Sequence, residues 1–449
     1  MRLTCATIAM CSVFTATSLH AQSAFGCSGL EENRELPAIE GKHGVFYRIN
    51  TDIRMNHPFS AAIVDHLAEL SRALESRGTT LVFAPIPTKS VSMPGDLPDQ
   101  ARLYGFDLNV ATAVHDDVLD RLTAAGVLTV DIRQALLKAE PGKLPFFNSD
   151  FHWSAYGANL GAAAIADVIK AHPFYETLPV TQFTTEPVAK ETAFSGMRRV
   201  LQTRCTDTLP EPITMTWNTQ PVGNDSGLDI GLGDSADTGI DIFGQTADTI
   251  PIVLVGTSFS DSPINNFPNW IAQHTSLEVV NFAITGGNQY GAITSYLTSA
   301  EFQEAPPAFL VWENPIYNNL AQYGDQPLRE LIAAAANNCA AERPVVIAKD
   351  RLSVTADVSG LDASDTLFLD TGGSTALEVD YTFVSANGGE RLKALRRGER
   401  LRRTGRFYMP MTGLWPDGAD QVRIDLSAPF GADARLYVCH PLPHQEEKS

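Results

Sequence analysis

The sequence predicts an α/β fold, with a parallel β-sheet flanked by helices, followed by a small all-β sandwich. From about residue 40 to 335, short apolar segments alternate with segments of helical periodicity, which is typical of a parallel sheet covered on both faces. After about residue 340, short β-type segments separated by turn residues replace that alternation. Because 449 residues exceed one ordinary core, we expect two or three domains, the main ones at 27–335 and 340–443.

The elements of the first region can be assigned in order. Ile63, Leu67 and Leu70 recur at helical spacing, and Ser154 is a natural helix N-cap. Residues 175–248 break the alternation and are rich in Thr, Pro, Gly and Asp, so we interpret them as an irregular insertion or lid. No calcium-loop spacing occurs there. The predicted helices are 57–78, about 110–125 and 154–170, and the predicted strands are 79–87, 126–132, 249–256, 276–283 and 307–313.

The N-terminus has the pattern of a secretory signal peptide, which we place at residues 1–21. Arg2 precedes an apolar run, and cleavage after Ala21 is compatible with the small residues there. A membrane anchor is the alternative, but Thr and Ser interrupt the short run, and no later stretch approaches ~20 apolar residues. A lipoprotein signal ending at Cys27 is disfavoured because polar residues separate it from the apolar run. We therefore expect an exported protein that does not span the membrane.

Four cysteines remain once this peptide is removed: Cys27, Cys205, Cys339 and Cys439. An even number in an oxidising compartment indicates two disulfides, and the lack of C-x-x-C spacing argues against zinc or thioredoxin-type chemistry. Three pairings are possible. Cys27–Cys205 and Cys339–Cys439 are favoured because each pair stays within one proposed domain.

Ser258 is the candidate nucleophile. The apolar strand that ends at Gly256 delivers it just past the carboxyl edge of the predicted sheet, where α/β proteins bind ligands. Backbone N–H groups that follow such a serine can stabilise an oxyanion. The segment is not a G-x-S-x-G elbow because residue 260 is Ser, which disfavours an α/β-hydrolase. The alternative is a serine that only caps a helix.

Asp150 and His152 are the candidate activating pair. Two residues apart, the carboxylate can hold one nitrogen of the imidazole and leave the other to take the serine proton. A satisfied polar turn or a metal-ligand pair would look similar, but no further clustered His or Glu accompanies them. In the loop after the next strand, Gly287 and Asn288 are candidate oxyanion donors, with a plain glycine-rich turn as the alternative.

These motifs resemble the alginate O-acetyltransferase family of the AlgX and AlgJ proteins, periplasmic relatives of the SGNH hydrolases. The matching segments, within about residues 40–320, are DFHW (150–153), GTSFS (256–260), VVNFA (279–283), ITGG (284–287) and LVWENP (310–315). The resemblance implies an SGNH hydrolase-like domain with Asp150, His152 and Ser258 as its triad and no cofactor. It also implies, as in the AlgX type, a C-terminal carbohydrate-binding sandwich and a disulfide within each domain.

Net charge and one local cluster point in opposite directions. The net charge of −19 argues against a nucleic-acid partner. Residues 391–406 nevertheless carry eight cations and a single acid, and arginine forks suit carboxylates. Tyr408 and Trp415 could stack on sugar faces. The alternatives are a solvated basic loop or an intramolecular partner for the acidic first domain. The predicted binders of an acidic polymer are Arg391, Lys393, Arg396, Arg397, Arg400, Arg402, Arg403, Arg406 and Trp415.

Three functions fit these residues. The first is an O-acetyltransferase that moves acetyl groups onto an acidic, alginate-like exopolysaccharide through a Ser258 acyl-enzyme, without metal or organic cofactor. Its partners would be the polysaccharide, an acetyl donor or acetyl-donating protein, and an export complex. The second is a polysaccharide acetylesterase with the same triad. The third is a non-catalytic, polymer-binding scaffold of an export complex.

Overall fold

The computed structural model describes residues 23–222 and 250–442. The expected signal peptide (1–21) and the glycine- and aspartate-rich part of the insertion (223–249) lie outside the described residues.

The first region contains both helices and strands, together with short 3-10 turns. In chain order they are β1 (Ala38–Glu40), β2 (Phe46–Arg48), α1 (Ala61–Glu75), β3 (Thr80–Ile86), α2 (Lys89–Ser92), α3 (Leu108–Ala124), β4 (Leu128–Thr129), α4 (Ile132–Leu136), α5 (Ala155–Ala171), β5 (Phe183–Thr192), α6 (Gly196–Gln202), β6 (Ile213–Pro221), β7 (Ile252–Val255), α7 (Ser258–Asp261), α8 (Phe267–Thr275), β8 (Val279–Asn281), α9 (Gly291–Leu297), α10 (Ala300–Glu304), β9 (Phe309–Pro315), β10 (Gln322–Asp325) and α11 (Gln326–Ala336).

The central sheet has the order β4-β3-β9-β7-β8, and all its pairings are parallel. Every residue of β7 and β9 is buried, as expected for strands covered on both faces. Ile165 of α5 and Ile271 of α8 pack in the apolar cluster on one face, and Leu67 of α1 and Leu331 of α11 pack in the cluster on the other. The predicted α/β architecture is confirmed. Because the strands are parallel, their carboxyl ends share one edge.

Strand β4 is shorter than the predicted strand 126–132. It pairs with β3 only through Leu128 and Thr129, at the margin of the sheet. Two residues later the Asp131 side chain accepts a hydrogen bond from Gln134 and N-caps α4. The start of that helix therefore ends the strand. Ser154 caps α5 as predicted, accepting from the amide of Gly157 at 3.2 Å.

The inserted region is more regular than its composition suggests. Strands β5 and β6 form a two-stranded antiparallel ribbon, and α6 lies between them in the chain. The Cys27–Cys205 disulfide ties the segment after α6 to the N-terminal segment. A second disulfide joins Cys339, just after α11, to Cys439. These are the two pairings that the sequence favours.

The C-terminal region is an antiparallel sandwich. Its strands are β11 (Ala341–Arg343), β12 (Val345–Ile347), β13 (Ser353–Asp357), β14 (Thr366–Asp370), β15 (Glu378–Val384), β16 (Glu390–Arg396), β17 (Arg406–Pro410), β18 (Gln421–Leu426) and β19 (Arg435–Cys439). They form two sheets, β11-β19-β14-β17 and β12-β13-β18-β15-β16. Leu369 and Phe407 of the first sheet and Tyr381 and Ile424 of the second share one buried core. The predicted all-β region is confirmed.

Candidate active site

Ser258 lies at the turn between β7 and α7, at the carboxyl edge of the sheet. Thr257 N-caps α7 by accepting a hydrogen bond from Phe259. Gly256 is required at this turn because a Cβ there would lie 2.4 Å from Oε2 of Glu313. Ser258 is thus the first residue of a helix that begins directly at the sheet edge, and it is only partly buried.

Asp150 and His152 lie in a six-residue loop that faces this turn. The amide of Phe147 donates to the carbonyl of His152 at 3.2 Å and closes the loop. Oδ1 of Asp150 lies 2.8 Å from the amide nitrogen of His152 and 2.6 Å from Nδ1 of its ring. Nε2 of the same ring lies 2.7 Å from Oγ of Ser258. The three side chains therefore form one continuous hydrogen-bonded chain.

Asp150 is buried, yet it is held in its charged form. Burial alone would raise its pKa, but hydrogen bonds from His152 and Ser195 outweigh burial and hold the pKa of Asp150 below its usual range. A charged carboxylate at this position fixes the ring orientation and stabilises an imidazolium.

Aromatic rings hold the imidazole in place. The ring centroids of Phe151 and Phe259 lie 4.1 and 4.9 Å from that of His152. Trp153 is fully buried and donates from Nε1 to the carbonyl oxygen of Phe259 at 2.9 Å. This bond joins the loop of His152 directly to the helix of Ser258, so the two parts are fixed relative to each other.

Ser195 is a site residue that sequence reasoning missed. It N-caps α6, and its hydroxyl lies 2.5 Å from Oδ2 of Asp150. It is separated from Asp150 by 45 residues and lies in the insert, and nothing in the local sequence distinguishes it from an ordinary cap.

Glu313 is a second residue that was missed. At the end of β9 it is completely buried and accepts hydrogen bonds from the amide of Thr257 at 2.7 Å and the hydroxyl of Ser260 at 2.9 Å. Burial raises its pKa to about 7, against these hydrogen bonds, which lower it. Its signal in the sequence was an acid at the end of an otherwise apolar strand.

The family comparison can be set against this geometry. Residues 39–316 match the family model described as "SGNH hydrolase-like domain, acetyltransferase AlgX". The chain belongs to the AlgX family. It is 24% identical to the alginate biosynthesis protein AlgX of Pseudomonas aeruginosa over 428 residues, which cover 92% of this chain and 86% of that protein. It is 29% identical to the probable alginate O-acetylase AlgJ of the same organism, over 55% of this chain and 61% of that one.

The structural comparison supports the same fold. The solved structure of Pseudomonas aeruginosa AlgX matches with a TM-score of 0.74 at 21% identity, covering 91% of this chain and 95% of that one. Membership of the AlgX family supports an acyltransferase role for this chain.

The predicted oxyanion donors Gly287 and Asn288 lie in the loop that follows β8. The amide of Gly287 donates to the carbonyl of Ile284 at 3.0 Å, so it is used within its own turn. In this conformation the Gly287 amide already has an acceptor, whereas the position of Asn288 as a donor stays a prediction. Asn288 is exposed on the same loop. In this AlgX-family chain the amide of Ser258 is the better candidate, because the first N–H of a helix has no acceptor within the helix.

Three of the predicted polymer-binding arginines contact the α/β region. Arg397 is buried, at 5% side-chain exposure, and bonds Glu330 at 2.7 Å. Arg402 bonds Glu301 at 3.2 Å, and Arg400 donates to the carbonyl of residue 285 at 3.0 Å. The intramolecular alternative is thus realised for these three, and Arg397 is not available to a polymer.

Three other predicted residues have side-chain partners within the sandwich. Lys393 donates to the carbonyl of Thr412 at 2.9 Å, Arg396 pairs with Asp380, and Arg406 lies 3.7 Å from Asp370. Arg403 is exposed. Tyr408 is buried and stacks on Phe368 at 4.5 Å, so the suggestion that it meets a sugar is wrong.

Arg391 and Trp415 form a pair at the end of the sandwich. The guanidinium carbon lies 4.8 Å from the centre of the indole ring, and Arg391 is exposed. The indole ring supports the guanidinium from one side and leaves the arginine exposed, which suits the carboxylate of an acidic sugar.

Metal sites and membrane-spanning helices can be assessed for the described part of the chain. Among its His, Cys, Asp and Glu residues, no group of three or more is placed to hold a metal ion. None of its helices is both long and apolar enough to cross a membrane.

Proposed function

We propose that this chain is a serine-dependent O-acetyltransferase that acts on alginate or a closely similar acidic exopolysaccharide. The carrying observation is the hydrogen-bonded chain from Asp150 through His152 to Ser258, with distances of 2.6 and 2.7 Å. Membership of the AlgX family supports acetyl transfer as the reaction. The AlgX and AlgJ relatives are proteins of alginate biosynthesis and acetylation, which supports alginate as the polymer.

The first half-reaction forms an acetyl-enzyme. Oγ of Ser258 attacks the donor's acetyl carbonyl while Nε2 of His152 takes the hydroxyl proton. The Ser258 amide donates to the resulting oxyanion. When the tetrahedral intermediate collapses, the leaving group departs with the proton from His152, and Ser258 keeps the acetyl group.

The second half-reaction transfers the acetyl group to the polymer. A sugar hydroxyl gives its proton to His152 and attacks the ester carbonyl of Ser258. Collapse of this intermediate forms the new sugar ester and returns the proton to Oγ. Asp150 stays ionised throughout and stabilises the imidazolium.

The two structural regions would divide the work as separate domains. Residues 27–335 would carry the chemistry, and residues 340–443 would hold the polymer through Arg391, Trp415 and the exposed Arg403. Residues 1–21 would direct the chain to the periplasm, where the two disulfides can form. An acetyl-donating protein and an export complex would be its partners there.

Acetyl transfer to uronate oligomers tests the proposal. The protein is incubated with 4-nitrophenyl acetate, with and without oligomer. The masses of the protein and of the oligomer are then measured by mass spectrometry. We expect an added acetyl group on Ser258 and then on the oligomer, and neither in Ser258→Ala. Ser262→Ala is the matched control. Ser262 lies four residues after Ser258, and its side chain makes no helix-capping hydrogen bond that the substitution would remove.

Two results would contradict the proposal. Acetate release with no acetylated oligomer would make the chain an esterase. Equal behaviour of wild type and Ser258→Ala would leave only polymer binding.

A further inference from the structure

Lys89 is a buried cation inside the loop that carries the candidate triad. It is the first residue of α2, just past the carboxyl end of β3, and is 1% exposed. Its Nζ donates to the backbone carbonyls of Phe147 at 2.5 Å, Asn148 at 2.9 Å and Asp150 at 2.9 Å. Lysine is rarely buried to this degree unless it has partners.

The three N–H donors of the Lys89 ammonium equal the number of loop carbonyls that face it. The loop from Phe147 to His152 is closed by its own amide-to-carbonyl bond, and it turns three carbonyl oxygens towards Nζ. An ammonium has three N–H donors and no acceptor, so each donor has one carbonyl. Without the cation, converging buried carbonyls would lack donors, which is costly. The loop conformation therefore depends on a charged group at its centre.

Lys89 acts on the site only through this loop. All three of its donors are used on carbonyls, so none is left for the imidazole or the Ser258 hydroxyl. Burial lowers the pKa of Lys89 to about 7, while nearby carboxylates raise it. The charged groups that face it are Asp52, Asp96, Asp150 and Arg48, and the ring of Tyr47 lies 5.8 Å from Nζ.

At the carboxyl ends of three neighbouring strands, one residue each fixes a part of the site. In the order β3-β9-β7, Lys89 follows the first, Glu313 lies two residues before the end of the second, and Ser258 follows the third. Glu313 holds the turn of the nucleophile, and Lys89 holds the loop of the base. The rigid sheet thus sets the distance between the two halves of the site.

We propose that Lys89 is a positioning residue of the acyl-transfer site: its ammonium is the template around which the Phe147–His152 loop closes, and it sets where Asp150 and His152 stand relative to Ser258. The inference rests on the function proposed above.

Kinetics per active site test it. Lys89→Met keeps the length of the side chain but has no donor, Lys89→Arg keeps the charge, and Lys190→Met in the exposed strand β5 is the control. A fluorophosphonate that labels Ser258 gives both the number of intact sites and their reactivity. For Lys89→Met we expect full final labelling, a labelling rate and kcat lower by about tenfold or more, and KM within about twofold. The labelling rate and kcat of Lys89→Arg should lie between those of wild type and Lys89→Met. Lys190→Met should match wild type.

A pH profile separates positioning from stability. As pH rises through about 7, wild-type Lys89 loses its charge, and activity should fall with that midpoint. Stability should not fall with it, because the unfolded chain then holds more protons on this lysine than the folded chain, which favours folding with rising pH. Lys89→Arg should extend activity to higher pH, and Lys89→Met should lack this step.

Several results would overturn the inference. These are a kcat for Lys89→Met within twofold of wild type, a loss of activity that only follows a loss of labelled sites, and an unchanged alkaline step in Lys89→Met. Ser258→Ala is measured in parallel. If it is as active as wild type, the proposed function fails, whereas if it is inactive and Lys89→Met is normal, only the role of Lys89 fails.

Discussion

The hydroxyl of Ser195 and the carboxylate of Asp150 meet at 2.5 Å, through the oxygen that His152 leaves free. Each oxygen of the carboxylate therefore has its own donor. Because Ser195 is the N-cap of α6, the insert takes part in orienting the carboxylate of Asp150.

Removing this hydroxyl should slow the reaction. Ser195→Ala is expected to lower kcat by about tenfold to a hundredfold, since a hydrogen bond to a charged group contributes roughly 1.5–3 kcal/mol. Ser195→Thr should keep most of the activity. Ser60→Ala removes the N-cap of α1 far from Asp150 and serves as control for the lost cap. Steady-state kinetics on a chromogenic acetyl ester measure all three, and equal losses in the two alanine variants would assign Ser195 to helix capping alone.

The two disulfides should differ in their effect on activity. Cys27–Cys205 closes the segment that follows α6, whereas Cys339–Cys439 joins α11 to the last strand of the sandwich. Replacing either pair with serine should lower the free energy of unfolding by about 2–4 kcal/mol. Only loss of the first pair should also lower kcat in protein that is still folded, because it frees the helix that presents Ser195. Thermal melts and kinetics below the melting range test this, and equal kcat values would contradict it.

Glu313 should make the stability of the folded chain depend on pH. Its folded-state pKa of about 7 lies above its ordinary value of 4.5, so the folded chain holds more protons and wild-type stability falls as pH rises from about 4.5 to 7. Glu313→Gln removes the contribution of this group. The free energy of unfolding of the variant, relative to wild type, should therefore rise by a few kcal/mol across this pH range, at about 1.36 kcal/mol per pKa unit. Its activity should fall, because an amide cannot accept from all the donors of Thr257 and Ser260. Urea denaturation of both proteins at several pH values checks this, because the difference in stability between variant and wild type must grow from about pH 4.5 to 7.

The arginines of the sandwich should separate into two classes. Arg391→Ala and Trp415→Ala are expected to weaken binding of uronate oligomers while leaving turnover of a small acetyl ester unchanged. Arg397→Ala should instead lower stability by about 3–5 kcal/mol, because it leaves the buried Glu330 carboxylate unpaired. Calorimetry with oligomers and denaturation curves distinguish the classes. Unchanged oligomer binding in both Arg391→Ala and Trp415→Ala would remove this face from the proposal.

The sequence allowed a good prediction of the fold because its signals are local. Each signal involves only a few consecutive residues. Examples are the apolar strands β7 and β9, the helix cap Ser154, and the change to β-type segments near residue 340. The margins were predicted less well. The strand predicted at 126–132 shrank to Leu128–Thr129, because Asp131 begins a helix there.

The distribution of the arginines could not be predicted in the same way. A run of cations is visible in the sequence, but which of them meets an acid depends on the packing of the two regions. Arg397 finds Glu330, 67 residues away, and is buried, while Arg391 stays exposed beside Trp415.

By itself, the sequence determined the sheet with its flanking helices, the sandwich that follows, the two favoured disulfides and the three motif residues at the sheet edge. Only the tertiary structure decided which side chains support them. Lys89, Ser195 and Glu313 come from separate strands and an insert, and each looks locally like an ordinary lysine, cap or strand-end acid. A hydrogen bond requires proximity in space, and chain folding, not sequence spacing, creates that proximity.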